Sequence, residues 1–239
     1  MYVDLHLHLL PGVDDGVRDL EEALGMARLL VEQGYRQAAV TPHIRPGLFD
    51  NTAAPLRHSL EVLEAALKAA EIPLELSIGA EHFLCPEVVE MLLDQKGLPL
   101  GHGRYALLEA PVTGPVPSLE QIVFRLEVGG VTPVFAHPER CECFQALEVV
   151  RTLREKGAHF QLDLGSLAGA YGWSARRTAR KILDAGLYSV AGTDLHRLEQ
   201  GQKLLGKWIS ALTDRVDAPG ATRLLSTHPR RVLAGEALP

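Results

Sequence analysis

The chain has 239 residues, 46% of them hydrophobic, and a mean hydropathy close to zero, which suits one large single-cored domain spanning 1–239. Its formal charge of −6 argues against a nucleic-acid footprint, because phosphate-backbone binding needs clustered Lys and Arg. No apolar stretch approaches the ~20 residues that span a bilayer and no leader pattern opens the chain, so the expectation is a cytoplasmic protein without membrane insertion.

The first apolar run, a strand over 2–7 in YVDLHLH, ends on His6 and His8. Two apart on a strand, both rings point to one side, as two ligands of one ion must. In Val13-Asp14-Asp15-Gly16, Asp15 is taken as a ligand; a helix N-cap before DLEEALGMARLLVEQG is the other reading of the paired carboxylates. Strand 37–42 leads to His43 in Thr-Pro-His. The irregular stretch 44–54 that follows, IRPGLFDNTAA, is a candidate substrate loop with Arg45, Leu48 and Phe49.

The helical pattern APLRHSLEVLEAALKAAE precedes strand 74–80 and Glu81, and PEVVEMLLDQ precedes strand 105–110 with Glu109. A lone carboxylate facing a barrel interior carries a heavy desolvation cost unless charge-paired or metal-bound. After SLEQIVFRLEVGG comes strand 132–137, ending on His137 in AHPER. Arg140 there is placed to face a phosphate bidentately or to pair with Glu139 on the surface. Cys141-Glu142-Cys143 reads as ordinary thiols, since Cys85, Cys141 and Cys143 form no even framework. None of the three has an Arg six positions on, so the phosphate loop of cysteine-based phosphatases is absent.

FQALEVVRTLREKG, strand 159–164 and SARRTARKILDAG lead to the last strand, 188–193, whose end carries Asp194 and His196 with the spacing of the first pair. Strands and amphipathic helices thus alternate throughout, which calls for a parallel sheet. Nine ligand candidates at successive strand ends favour a barrel with seven strands, in which every such end meets one rim, over an open doubly wound sheet. His58, His82, His102, His159 and His228 are assigned to surface or core, with His82 pointing away from the rim.

The pieces DLHLHLLPGVDDG, TPH, GAE, ALLE, HPER, TDLH and the closing HPRRVL together resemble the polymerase-and-histidinol-phosphatase (PHP) superfamily, and within it the bacterial manganese-dependent protein-tyrosine phosphatases of capsule and exopolysaccharide synthesis. The resemblance implies an α/β fold, a distorted seven-stranded (β/α)7 TIM-like barrel. It implies one ion on His6, His8, Glu81 and Asp194, a second on Glu81, Glu109 and His137, and a third on Asp15, His43 and His196. Mn²⁺ is the first candidate for up to three ions, with Fe or Zn as alternatives for such mixed donors. These phosphatases commonly carry an Arg several residues after the DxH motif. Here Arg197 directly follows His196, with Arg140 and Arg45 as the other phosphate-binding candidates.

The activity expected is hydrolysis of a phosphate monoester by a metal-bridged hydroxide, preferably on protein phosphotyrosine, with a bacterial tyrosine kinase among the expected partners. The rival readings are a histidinol-phosphate phosphatase and a catalytically silent metal-binding partner protein.

Overall fold

In the computed structural model, which describes residues 1–239, short buried strands alternate with amphipathic helices. In chain order they are β1 (Tyr2–Asp4), α1 (Leu20–Glu32), β2 (Tyr35–Val40), β3 (His43–Ile44), α2 (Ala53–Ala69), β4 (Glu75–Ile78), β5 (Glu81–Phe83), α3 (Pro86–Leu93), β6 (Tyr105–Glu109) and α4 (Leu119–Val128). Then come β7 (Thr132–Ala136), α5 (Leu147–Glu155), β8 (His159–Asp163), α6 (Leu164–Ala168), α7 (Gly172–Asp184), β9 (Val190–Gly192), α8 (Leu198–Thr213), α9 (Ala218–Thr222) and α10 (His228–Leu233). Local chemistry accounts for their type. In α1, Asp19 caps the N-terminus by accepting the Glu22 amide, and Ala23, Met26, Ala27 and Leu30 bury one helical stripe. All five residues of β7 are buried, as expected of a parallel strand covered on both faces.

All strand pairs are parallel, in a three-stranded sheet β1-β2-β4 and a six-stranded sheet β3-β5-β6-β7-β8-β9. The two sheets are one ring. Only Thr41 and Pro42 separate β2 from β3, and Gly79 and Ala80 separate β4 from β5. Across that break the Gly79 amide still donates to the Val40 carbonyl (2.9 Å) and Glu81 to Pro42 (3.1 Å). The remaining seam closes through a parallel bridge between Leu7 and Leu195, with Asp194 donating to the His6 carbonyl (3.0 Å) and His8 to Leu195 (3.1 Å). The result is a distorted seven-stranded TIM-like barrel. Val3, Leu5, Ala39, Tyr105, Leu107, Val134, Ala136 and Val190 form a small apolar cluster with Leu100 and Val232, separate from the 54-residue core. That small cluster fills the barrel below the rim.

Strand limits differ from the sequence expectation for identifiable reasons. Strand 2–7 is regular only to Asp4, whose buried carboxylate takes the amides of His6 (3.1 Å) and Thr193 (3.2 Å) and the Thr193 hydroxyl (2.6 Å) in place of ladder bonds. Strand 37–42 stops at Val40 because Pro42 has no amide to donate. Strand 74–80 breaks at Gly79, where a Cβ would lie 2.9 Å from Leu100 and 3.3 Å from Thr41. The last strand shortens to 190–192. Helices α6, α8 and α9 were not expected. Two glycines weaken the helical signal of α8, yet Gly201 is needed there, since a Cβ would meet Leu29 of α1 at 2.7 Å.

Candidate metal centre

At the C-terminal rim of the barrel, side chains separated by up to 190 residues converge. His6 Nε2 lies 3.1 Å from both Glu81 Oε2 and Asp194 Oδ1, and His8 Nε2 lies 3.5 Å from the same two oxygens. His137 Nε2 is 2.8 Å from Glu81 Oε1, and His43 Nδ1 is 3.1 Å from Glu81 Oε2. Asp15 Oδ1 stands 3.4 Å from both His43 Nε2 and His196 Nε2. Three groups of donors small enough to hold one ion each result: His6, His8, Glu81 and Asp194; His8, Asp15, His43 and His196; and His43, Glu81 and Glu109. The first is wholly buried, whereas the Asp15 side chain in the second is 56% exposed.

The hydrogen-bond partners assign the histidine tautomers. His6 Nδ1 donates to Gln161 Oε1 (2.9 Å), an orientation fixed because Gln161 Nε2 donates to the Leu162 carbonyl. His8 Nδ1 donates to Asp14 Oδ2 (2.8 Å). In the neutral rings both Nε2 atoms are therefore lone pairs, and they face each other at 3.2 Å. Two acceptors cannot bond each other, so a cation belongs between them. The same conclusion follows from Glu81 Oε2, Asp194 Oδ1, Glu109 Oε2, His43 Nδ1 and His137 Nδ1, all buried without a hydrogen-bond partner, a condition native interiors rarely tolerate. His137 and Asp194 also hold left-handed backbone, at φ 32° and 51°, strain of the kind that functional sites retain. The residues present thus fit divalent metal ions.

Charge distribution agrees. Burial opposes ionisation of Glu81 and Asp194, yet His6, together with His137 for Glu81 and Arg140 for Asp194, holds both carboxyls well below their usual range. Burial likewise disfavours the His6 cation, but Glu81 and Asp194 push it up to about 9; metal binding would displace that proton. Burial, then the charge of Glu81, pushes Glu109 up to about 7. Burial and Arg140 push His137 down to about 4, so its ring is neutral, as a ligand must be.

Of the three arginines, Arg140 enters the centre. Its Nη1 is 2.9 Å from Asp194 Oδ2 and 3.6 Å from Asp163 Oδ2, and its guanidinium lies 4.5 Å over the Tyr171 ring. The surface pair with Glu139 does not form. Glu139 is buried instead, accepting from Tyr188 Oη (2.7 Å) and the Asp163 amide (3.0 Å). Arg45 lies over Phe83 at 4.1 Å and acts electrostatically on Glu109. Arg197 turns elsewhere: it donates to the Gly16 carbonyl and lies 3.9 Å from Glu22, tying the Asp14–Gly16 loop to α8. In the 44–54 stretch, Arg45 and Phe49 form a tight two-way backbone bridge, and the Phe49 ring stacks on His43 at 5.3 Å while Leu48 is exposed.

The five other histidines lie outside the centre. His58 is exposed, and His82 is buried between the Leu107 carbonyl and the Leu98 amide. His159 and His228 bond Ser189, and His102 lines a hollow with Arg104 and Gly235 that holds none of the ligands. Sequence reasoning missed Asp14, Gln161, Asp163 and Tyr171. Only Asp14 had a signal, its adjacency to Asp15; Asp14 also accepts the His43 amide (3.0 Å) and so sets two ligands at once. Beside Arg140 opens a groove of about 570 Å³, lined by Val112, Thr113, Gln145, Tyr171 and Ser174 among others.

A model of the capsular polysaccharide synthesis family CpsB/CapC matches residues 2–234. The chain is 34% identical over 198 residues to the tyrosine-protein phosphatase YwqE of Bacillus subtilis, covering 82% of this chain and 78% of that protein. It is 26% identical over 244 residues to the tyrosine-protein phosphatase CpsB of Streptococcus pneumoniae, covering 99% and 100%. A crystal structure from work on these two proteins, described there as unique metal-dependent tyrosine phosphatases, superposes with a TM-score of 0.91 at 30% identity, over 99% of this chain and 96% of that one.

Proposed function

Because the chain belongs to the CpsB/CapC family of capsular polysaccharide synthesis, we propose that residues 1–239 act as one metal-dependent protein-tyrosine phosphatase domain, hydrolysing the phosphate monoester of phosphotyrosine in a partner protein. The observation that carries the reading is the pair of facing lone pairs on His6 and His8, ringed by unpartnered oxygens of Glu81 and Asp194. His6, His8, Glu81 and Asp194 would hold one ion, Glu81, Glu109 and His137 a second, and Asp15, His43 and His196 a third. The donors grouped with Glu81 and Glu109 include His43 and not His137, whose Nε2 instead lies 2.8 Å from Glu81 Oε1, and His8 joins the third group. Mn²⁺ suits this mixture of imidazole and carboxylate, as do Fe and Zn. When bound, such ions supply Lewis-acid polarisation of phosphoryl oxygens and activation of water at neutral pH.

The protein supplies orientation and charge. Asp14 and Gln161 hold His8 and His6 with their Nε2 atoms turned inward. Arg140, anchored on Asp194, presents its remaining donors to the non-bridging oxygens, and Arg45 adds a second positive charge near Glu109. Arg197 serves the site indirectly by fixing the loop that carries Asp14 and Asp15. A phenolate leaving group needs little protonation, so the reaction places little demand on a general acid. The phosphotyrosine protein is foremost a bacterial tyrosine kinase, and the cytoplasm, where three free thiols persist, is the proposed location. No helix is long and apolar enough to cross a membrane.

The test is phosphate release by Mn²⁺-loaded protein from a phosphotyrosine peptide beside histidinol phosphate, with His137→Ala as control. Preference for the peptide and loss of turnover in a folded variant are expected. Preference for histidinol phosphate would move the protein to amino-acid biosynthesis, and unchanged kinetics of the variant would remove His137 from the site.

A further inference from the structure

Helix α7 leads away from the centre. Tyr171, at its N-cap, lies under Arg140, and the helix then carries Trp173, Arg176, Arg177, Arg180 and Lys181. Trp173 is 74% exposed, and Arg177 lies over its ring at 5.2 Å. Trp173, Arg177 and Lys181 follow at four-residue spacing and so share one stripe, with Arg176 and Arg180 on the next. Like charges four apart destabilise a helix, so this arrangement works against local stability rather than for it.

In a chain of net charge −6, these four cations have no carboxylate partner. Two acids border them: Asp184 is taken by Arg215 through two bonds of 2.6 and 3.1 Å, and Asp214 lines the second depression without an ion pair to them. They line a depression of about 320 Å³ with Trp173, and Arg176 and Arg180 continue into a second of about 260 Å³ against α8. Arg180 Nε is buried there without any acceptor. Arg180 as a whole stays partly exposed, and an N–H without a partner favours an arriving acceptor.

From these features, and resting on the phosphatase reading above, we propose that the Trp173–Lys181 stripe is an exosite for an acidic polypeptide segment flanking the phosphotyrosine. Ten residues of helix separate Tyr171 from Lys181, about 15 Å at 1.5 Å per residue. An extended peptide covers that distance in about four to five residues. The acidic side chains recognised are therefore those roughly four to six residues from the phosphotyrosine. Carboxylates would pair with Arg177 and Lys181 and enter the depressions toward Arg180, while the exposed Trp173 face covers the peptide backbone.

The test compares two phosphotyrosine peptides, one with three Glu and one with three Gln at four to six residues on either side, on the metal-loaded protein and on Arg177→Gln/Lys181→Gln. The Glu peptide should show a KM lower by about tenfold, the sum of a few exposed charge pairs, with kcat little changed. The double variant should lose that preference while turning over a small aryl phosphate as before. Binding is read separately through the fluorescence of Trp173 with the same Glu peptide lacking phosphate; Trp208, the other tryptophan, is buried. That response should weaken with salt and vanish in the variant. It survives even if the phosphatase reading fails, in which case no substrate turns over but the titration remains. Equal KM values for the two peptides, or no fluorescence response to the Glu peptide, would overturn the exosite. A response to phosphatidylserine vesicles in place of the peptide would reassign the surface to a membrane and overturn it equally.

Discussion

Asp14→Asn is the sharpest probe of the centre, because Asp14 touches no proposed ion yet holds two ligands. Its Oδ2 accepts from His8 Nδ1 at 2.8 Å and from the His43 amide at 3.0 Å, and its Oδ1 accepts from the Gly16 amide at 2.9 Å. A hydrogen bond to a charged group contributes about 1.5–3 kcal/mol and a neutral one about 0.5–1.5, so loss of the charge costs roughly 1–2 kcal/mol at the His8 contact alone. The asparagine also has one acceptor where three donors converge, which leaves His8 or the loop amide without a partner. Metal affinity should fall about 10–100-fold, the range found for partners that orient ligands. Competition with a fluorescent chelator measures that directly, and turnover against metal concentration should shift to the right with kcat recovered at saturation. Wild-type affinity in the variant would refute the argument that Asp14 holds the inward tautomer of His8. Unchanged affinity with a collapsed kcat would place Asp14 in the chemistry instead.

Asp15→Asn, at the most exposed ligand, should remove one metal equivalent in elemental analysis after dialysis and leave the buried ions in place; unaltered stoichiometry would dissolve the third site. Arg140→Lys retains a charge opposite Asp194 and Asp163 but loses the planar fork, and kcat/KM on phosphotyrosine peptide should drop about 100-fold with little change in melting temperature. Chelation of the metal should lower that melting temperature by about 5–10 °C, from roughly 2.7 kcal/mol of binding at 100-fold excess over Kd spread over a chain of this size. His82, pushed down to about 4 by burial, is neutral when folded and charged when unfolded between pH 4 and 6.5. The unfolded chain binds the extra proton in that window, so stability falls as pH drops through it. The contribution lost by pH 4.5 is roughly 2–3 kcal/mol. His82→Gln, able to keep both backbone contacts, should show a correspondingly smaller loss in urea midpoints at pH 7 and 4.5, and an equal loss would acquit His82.

The sequence alone determined the alternation of strand and helix, because periods of 2 and 3.6 residues are local properties of the chain. It also determined which residues gather at the rim. A polar side chain that ends an apolar strand has only one end of a parallel barrel to occupy, so His6, His8, His43, Glu81, Glu109, His137 and Asp194 stood out as candidates by their joint placement, each being a weak signal alone. What tertiary structure decided is how these side chains are aimed. Gln161 meets His6 across 155 residues, Tyr171 lies beneath Arg140 from the start of another helix, and Arg197 bonds the Gly16 carbonyl instead of facing a phosphate. Strand ends followed the same division: Asp4 replaced ladder bonds of β1 with carboxylate contacts to Thr193, 189 residues away. Ligand type is a property of a residue and its nearest neighbours, whereas tautomer, charge and orientation come from partners that only folding brings within 3 Å.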